Sequence, residues 1–311
     1  MLDKAFKILS LLTLILIALG SYVRATGAGL ACPDWPLCFG RAVPEFEFGV
    51  TQEVVHRYIA AGVILFTLFI LYQGWKNRGN NKQFFKFGAA LLALVLTQAV
   101  FGGLTVTMKL NPFIVTTHLA LGTLFFQAVS TYGFAGRPLS ENRTQNSNKF
   151  FRGLVLATAI FTYCQILIGG FVGASGAALA CPDFPACGVP YASGAQVTQV
   201  THRILGFSLA ALFIGTWFAS RRLTGAERLV SVGPLSRVLV LIGLQLFVGW
   251  LNLYYKITPT ITVTHIILAQ VILLHLLLIW RRLGLIGGST VELSTGIRPS
   301  DSMQVKRESR T

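Results

Sequence analysis

Eight uninterrupted apolar stretches of about 20 residues recur along this chain, the length an α-helix needs to cross a hydrocarbon core roughly 30 Å thick. They fall at about 7–24, 53–74, 86–107, 112–133, 151–173, 198–220, 235–254 and 259–280. A backbone in lipid must satisfy its own hydrogen bonds, so the expected fold is an all-α membrane protein with eight transmembrane helices. Charged residues make up only 12% of the chain against 53% hydrophobic, which argues against a water-soluble domain.

The net charge of +15 would point to nucleic acid in a soluble protein, so where the cations lie decides its meaning. Lys4, Lys7, Lys76, Arg78, Lys82, Lys86, Arg137, Arg143, Lys149, Arg152, Arg221, Arg222, Arg228, Arg237 and the tail from Arg281 to Arg310 fall on one side. The opposite loops carry only Arg24, Arg41, Lys109 and Lys256, so the positive-inside rule puts both termini in the cytoplasm. The basic excess thus reports topology, with contact to acidic lipid as a secondary effect and no nucleic-acid partner. The first stretch begins almost at Met1 and could be mistaken for a secretory signal peptide. The loop chemistry after Arg24 is repeated later in the chain, so it is read as a retained helix. No mitochondrial transit peptide precedes it, and a prokaryotic plasma membrane is the simplest location for this multi-pass chain.

Residues 26–38 read TGAGLACPDWPLC and residues 175–187 read SGAALACPDFPAC, one motif written twice. His56-Arg57 matches His202-Arg203 at an offset of 146, while Gln98 with Gln245 and His118 with His265 match at 147. The first four helices therefore correspond to the last four. An even number of helices per half gives both halves one orientation, so the expected architecture is two tandem four-helix bundles related by an axis along the membrane normal. The halves are 1–133 and 151–282, joined by a cytoplasmic linker at 134–150 and followed by a disordered cytoplasmic tail at 283–311.

Four of the five histidines survive the duplication. His56, His118, His202 and His265 each lie about three to seven residues inside the start of an even-numbered helix, hence at one depth below the external surface. Ionisable side chains inside transmembrane helices are costly and usually functional. Two imidazoles from different helices in apolar surroundings suit a haem iron, whereas zinc would want further ligands and none repeats near this depth. Arg57 and Arg203 follow two of the histidines, placed either to pair with haem propionates or to snorkel to headgroups. His275 corresponds to Ala128 and is read as packing or making a local hydrogen bond, and Cys164, also unmatched, as a buried inert thiol.

Cys32 with Cys38 and Cys181 with Cys187 are spaced C-x5-C in loops assigned to an oxidising exterior, so two short disulfides are expected. They act as staples shaping a loop or as a relay of reducing equivalents, and the flanking prolines favour the staple. Glu53 lies three residues before His56, yet its counterpart before His202 is Gln199. An acid in one half and an amide in the other means that the two sites no longer do the same work. Either Glu53 manages protons near a haem edge or it hydrogen-bonds Arg57 or water.

The motifs CPDWPLC (32–38), EVVHR (53–57), TTHLALG (116–122), ACPDFPAC (180–187), THR (201–203) and VTH (263–265) closely resemble those of the haem A synthase family, in the subgroup with cysteine pairs in both external loops. The resemblance covers all eight helices. It implies oxidation of the C8 methyl group of haem O to the formyl group of haem A, for use in terminal oxidases. It further implies that His202 and His265 hold a resident haem b, that His56 and His118 frame the substrate haem O, and that Glu53 is the catalytic acid. Membrane lipid, an electron-transfer partner and handover from haem O synthase are the partners implied. Two other readings remain at this point: a dihaem b-type electron-transfer protein with two equivalent haems, and a membrane thiol oxidoreductase using the external cysteines.

Overall fold

Each apolar stretch forms one α-helix in the computed structural model, which describes residues 2–45, 47–79, 81–135, 148–185, 187 and 193–286. The helices are α1 (Leu2–Ala25), α2 (Val50–Lys76), α3 (Lys82–Thr107), α4 (Pro112–Ala135), α5 (Lys149–Ala174), α6 (Gly194–Arg221), α7 (Gly225–Tyr254) and α8 (Pro259–Ile286). All eight are long and apolar enough to span a bilayer, and the molecule is an all-α membrane protein. Most of the linker and tail expected from the sequence lie outside the described residues, although α8 runs on to Ile286.

One boundary differs substantially. The sequence places the start of the seventh helix just after Pro234, but α7 begins at Gly225 and carries that proline inside it. Neighbouring helices and hydroxyl side chains can re-satisfy the carbonyl that a proline frees. Here α7 is held to α6 beside the proline, where Trp217 Nε1 donates to Ser236 Oγ at 2.9 Å and Ser236 donates to the Val232 carbonyl at 2.8 Å. Arg228 is therefore a helical rather than a loop residue.

The packing closes into two rings. α1 touches α2 and α4, and α3 touches α2 and α4. α5 touches α6 and α8, and α7 touches α6 and α8. Between the rings α1 meets α8, α4 meets α5, and α4 meets α8. A twofold that exchanges the halves turns the α1–α8 contact into α5–α4 and leaves α4–α8 unchanged, which is the tandem, parallel arrangement the repeat implies. Residues that are repeat partners and also touch must sit on that axis. Thr123 and Gln270 do so in the interior, with Gln270 Nε2 donating to Thr123 Oγ1 at 2.9 Å, and Gln127 donates to the Gln270 backbone carbonyl at 3.0 Å.

The apolar cores are displaced toward the end of the bundles that carries the N-terminus. In the first ring Phe6, Leu9, Val63, Ile70, Phe84, Leu91, Phe125 and Val129 pack together. In the second the cluster runs through Phe151, Val155, Phe213, Leu235, Leu276 and Leu283. These side chains plug one end of each bundle. The other end, where the cysteine loops emerge, is where the conserved geometry of the repeat gathers. α1 and α5 both stop at a left-handed glycine, Gly27 (φ 73) and Gly176 (φ 75), a conformation that L side chains resist. A 3-10 turn follows each, Ala28–Leu30 and Ala177–Leu179.

Candidate functional site

All four repeated histidines point into the bundles, and each imidazole lies against a glycine of the preceding odd-numbered helix. A Cβ added at Gly20, Gly102, Gly169 or Gly249 would lie 2.9, 3.2, 2.8 or 3.1 Å from Cε1 of His56, His118, His202 or His265 respectively. Every one of these glycines is five residues from the end of its helix, so the four imidazoles share one level, as expected. His202 sits eight residues after the first residue of its helix rather than within seven, because α6 begins at Gly194, earlier than its apolar stretch. His56 is within electrostatic range of His118, and His265 of His202, which pairs the imidazoles within each half.

Glutamines orient three of the four rings. Gln98 Nε2 lies 3.3 Å from His118 Nε2, and its repeat partner Gln245 lies 3.2 Å from His265 Nε2. Gln165 Nε2 is 3.0 Å from His202 Nδ1 and donates to the His202 carbonyl at 2.7 Å. The position equivalent to Gln165 in the first half is Leu16, and among the described residues His56 Nδ1 has no hydrogen-bond partner. Sequence reasoning used Gln98 and Gln245 only to align the repeat, and missed Gln165 and the four glycines. The glycines did carry a signal, since Gly20 and Gly169 recur at 149 and Gly102 and Gly249 at 147.

Glu53 and Gln199 are equally buried, each 5% exposed, but are wired differently. One Glu53 oxygen accepts from the Cys32 backbone N–H at 3.0 Å and the other from Arg57 Nη2 at 2.6 Å. Gln199 instead donates to the Ala178 carbonyl at 3.1 Å, and Arg203 Nη2, lacking an acid, donates to the Cys181 carbonyl at 2.5 Å. Both arginines also tie down their loops, Arg57 donating to the Asp34 carbonyl at 2.8 Å and Arg203 to that of Asp183 at 2.5 Å. The carboxylate thus faces the loop and Arg57, one helical turn nearer the loop end than His56.

The loops are stapled as expected. Cys32–Cys38 and Cys181–Cys187 are disulfides with Cα separations of 4.8 and 5.2 Å. Trp35 lies across α3, where a Cβ at Gly103 would meet its ring at 2.9 Å, directly beside the glycine that faces His118. At the loop surface the backbone N–H groups of Gly40 (2.7 Å) and Phe39 (2.6 Å) hold the Asp34 carboxyl below the ordinary aspartate range. His275 makes the local bond anticipated for it, Nδ1 lying 2.8 Å from the Val271 carbonyl. Cys164 is a correction: it is exposed on the outer face of α5, where an unpaired thiol meets lipid rather than the core.

Among the described residues no three His, Cys, Asp or Glu side chains gather as a metal site, so each half offers two imidazoles and no third donor. The Nδ1 atoms of His56, His118 and His265 are buried without a partner. Paired imidazoles facing each other across apolar, glycine-walled helices fit axial ligation of a flat macrocycle better than a compact ion.

Fold and site together define a membrane protein with two matched pairs of buried histidines, one pair per half, of which only the first has an acid beside it. The chain matches the family of cytochrome oxidase assembly proteins designated COX15-CtaA in two overlapping segments, residues 5–53 and 44–277. It belongs to that family. It is 33% identical to the haem A synthase of Shewanella oneidensis over 199 residues, 58% of this chain and 59% of that protein. With the haem A synthase of Staphylococcus aureus (strain JH9) it shares 26% identity over 254 residues, covering 79% of this chain and 83% of the relative.

Proposed function

We propose that this chain is a haem A synthase, an oxidoreductase that converts the C8 methyl group of haem O to a formyl group. The observation that carries the reading is the divergence of two otherwise matching sites: the second keeps two glutamine-oriented histidines, while in the first one histidine has no hydrogen-bond partner among the described residues and a buried carboxylate lies close by. A hydrogen bond to the ring fixes its orientation. The pair His202 and His265, both so fixed, suits a resident haem b. The pair His56 and His118 suits haem O, a substrate that must enter and leave, because among the described residues no hydrogen bond fixes the His56 ring.

Turning a methyl carbon into a formyl carbon replaces two C–H bonds with one C=O bond, a four-electron oxidation that takes its oxygen atom from water or dioxygen, chemistry that falls to cofactors while the protein orients and insulates them. His202 and His265 would hold a haem b, which would supply one-electron transfer. Glu53 receives a proton at the first site and Arg57 holds its carboxylate in place. Trp35 and the Cys32–Cys38 loop cover that end of the bundle against water, the disulfide acting as a staple. The distribution of basic residues supports a plasma-membrane location with both termini in the cytoplasm. Haem O synthase, which makes the substrate, is the natural source of haem O, and the electrons require a partner in the same membrane.

The test is to extract haems into acidified acetone from protein purified out of cells that make haem O, and to separate them by chromatography. Haem O or haem A accompanying haem b is the expected result. Haem b alone at two per chain would replace this reading with a dihaem electron-transfer protein.

A further inference from the structure

Arg24 ends the membrane-spanning part of α1 and belongs to no contact that the function above uses. Its guanidinium crosses from the first half to the second, where Nη2 donates to the Gly173 backbone carbonyl. Arg24 and Gly173 are repeat partners, both 149 apart like the loop motifs, so the guanidinium lies on the axis between the halves. A twofold axis has room for one such group, since a second arginine in the equivalent place would set like charges in contact. Glycine at 173 supplies the space: a Cβ there would meet Arg24 Nη1 at 2.9 Å.

The guanidinium's level is equally defined. Arg24 is one helical turn beyond Gly20, which faces His56, and Gly173 is one turn beyond Gly169, which faces His202. The stem of Arg24 therefore rises from the first site and its head arrives one turn above the second. Five N–H donors are offered there, and among the described residues one backbone carbonyl answers them. Among the described residues the ion pairs are Arg41–Glu45 and Arg57–Glu53, so Arg24 has no carboxylate of its own. Arg57 and Arg203, which sequence reasoning offered to haem propionates, are tied to loop carbonyls and to Glu53. A cation at this depth with a single neutral acceptor is costly unless an anion completes it.

We propose that Arg24, carried by the first half, pairs with a propionate carboxylate of the haem held by His202 and His265 in the second. The inference rests on the haem reading above and adds to it a residue that joins the two sites. A planar, bidentate donor matches a carboxylate, and such charge-assisted bonds are the strong ones. The contact also makes the second site incomplete without α1, so haem held there braces the halves against each other.

The experiment uses full-length His56→Ala protein, in which only the second half offers two ligands, produced under haem limitation and reconstituted in nanodiscs of zwitterionic lipid. It is titrated with haem b and with haem b dimethyl ester, which keeps the macrocycle and iron but has no carboxylates. Haem b is expected to bind about tenfold more tightly than the ester, and Arg24→Gln to remove that preference while leaving the ester's affinity unchanged. Arg24→Lys should retain part of it. Gly173→Ala, which displaces the guanidinium without removing its charge, should lower it and serves if the Gln variant folds poorly. Equal weakening of both probes by Arg24→Gln, or no change in either, would overturn the inference and leave Arg24 a packing residue. An Arg24 effect that emerges only when anionic lipid is added would overturn it in favour of a headgroup phosphate. Uptake of neither probe would overturn the haem reading itself, a result distinct from binding both probes without discrimination.

Discussion

Glu53 and Gln199 have the same shape and burial, so the difference between the two sites is concentrated in one ionisable group. Glu53→Gln should leave the fold intact, because the second half already shows how the amide is accommodated, with the arginine turning to the cysteine carbonyl. The expected outcome is normal haem b content and haem O binding with conversion slowed about 10²- to 10⁴-fold, or halted at a partly oxidised product, measured by chromatography of extracted haems. Normal haem A formation would reduce Glu53 to a partner of Arg57. The glycine cradles make a second prediction. Gly169→Ala puts a methyl 2.8 Å from His202 Cε1, closer than atoms tolerate, and should strongly diminish the haem b absorption band. Gly215→Ala, which meets nothing within 4 Å, is the control and should leave the band unchanged. The histidines were legible because ionisable residues stand out in an apolar helix. The glycines opposite them were not, since nothing in a local sequence window says which small residue another helix will approach.

At the scale of elements, stretches of hydropathy located all eight helices, and the one large difference is at the start of α7, which runs through Pro234 and begins nine residues before it. Proline ends helices in water because it leaves a carbonyl unpaired, but within a packed bundle the neighbours compensate. The loops were legible for a different reason, since the cysteine spacing and the doubled motif are covalent and local facts. Thiol labelling should find Cys32, Cys38, Cys181 and Cys187 blocked until reductant is added. Cys164, on the outer face of α5, should react with a lipid-soluble maleimide and resist a water-soluble one. Free thiols in both loops before reduction would remove the staple. A periodic apolar sequence shows that a helix is buried in something, without showing whether lipid or protein covers a given face, and so the thiol was misplaced.

For the whole molecule, the division of labour between halves is open to direct test. His202→Ala or His265→Ala should abolish most of the resident haem b spectrum, whereas His56→Ala should spare much more of it. A first-half variant that removed the stable haem instead would reverse the assignment of the halves. The axis between them is narrow and polar: Thr123 with Gln270 in the interior, and Arg24 with Gly173 at the loop end. Interhelical hydrogen bonds in membranes contribute on average about 0.6 kcal/mol each, so these contacts specify how the halves register more than they drive association.

The sequence alone determined the number of spans, the tandem repeat, the two histidine pairs, the disulfides and the acid that one half has and the other lacks. Each follows from hydropathy, from spacing, or from self-comparison, all of which are written along one dimension. Only the tertiary structure decided that glycines wall the imidazoles, that Gln165 braces His202 while His56 Nδ1 has no partner among the described residues, that Glu53 looks to Cys32 and Arg57, and that Arg24 reaches the axis. These are contacts between helices whose relative rotation is set by packing over their whole length, and no single segment encodes that rotation.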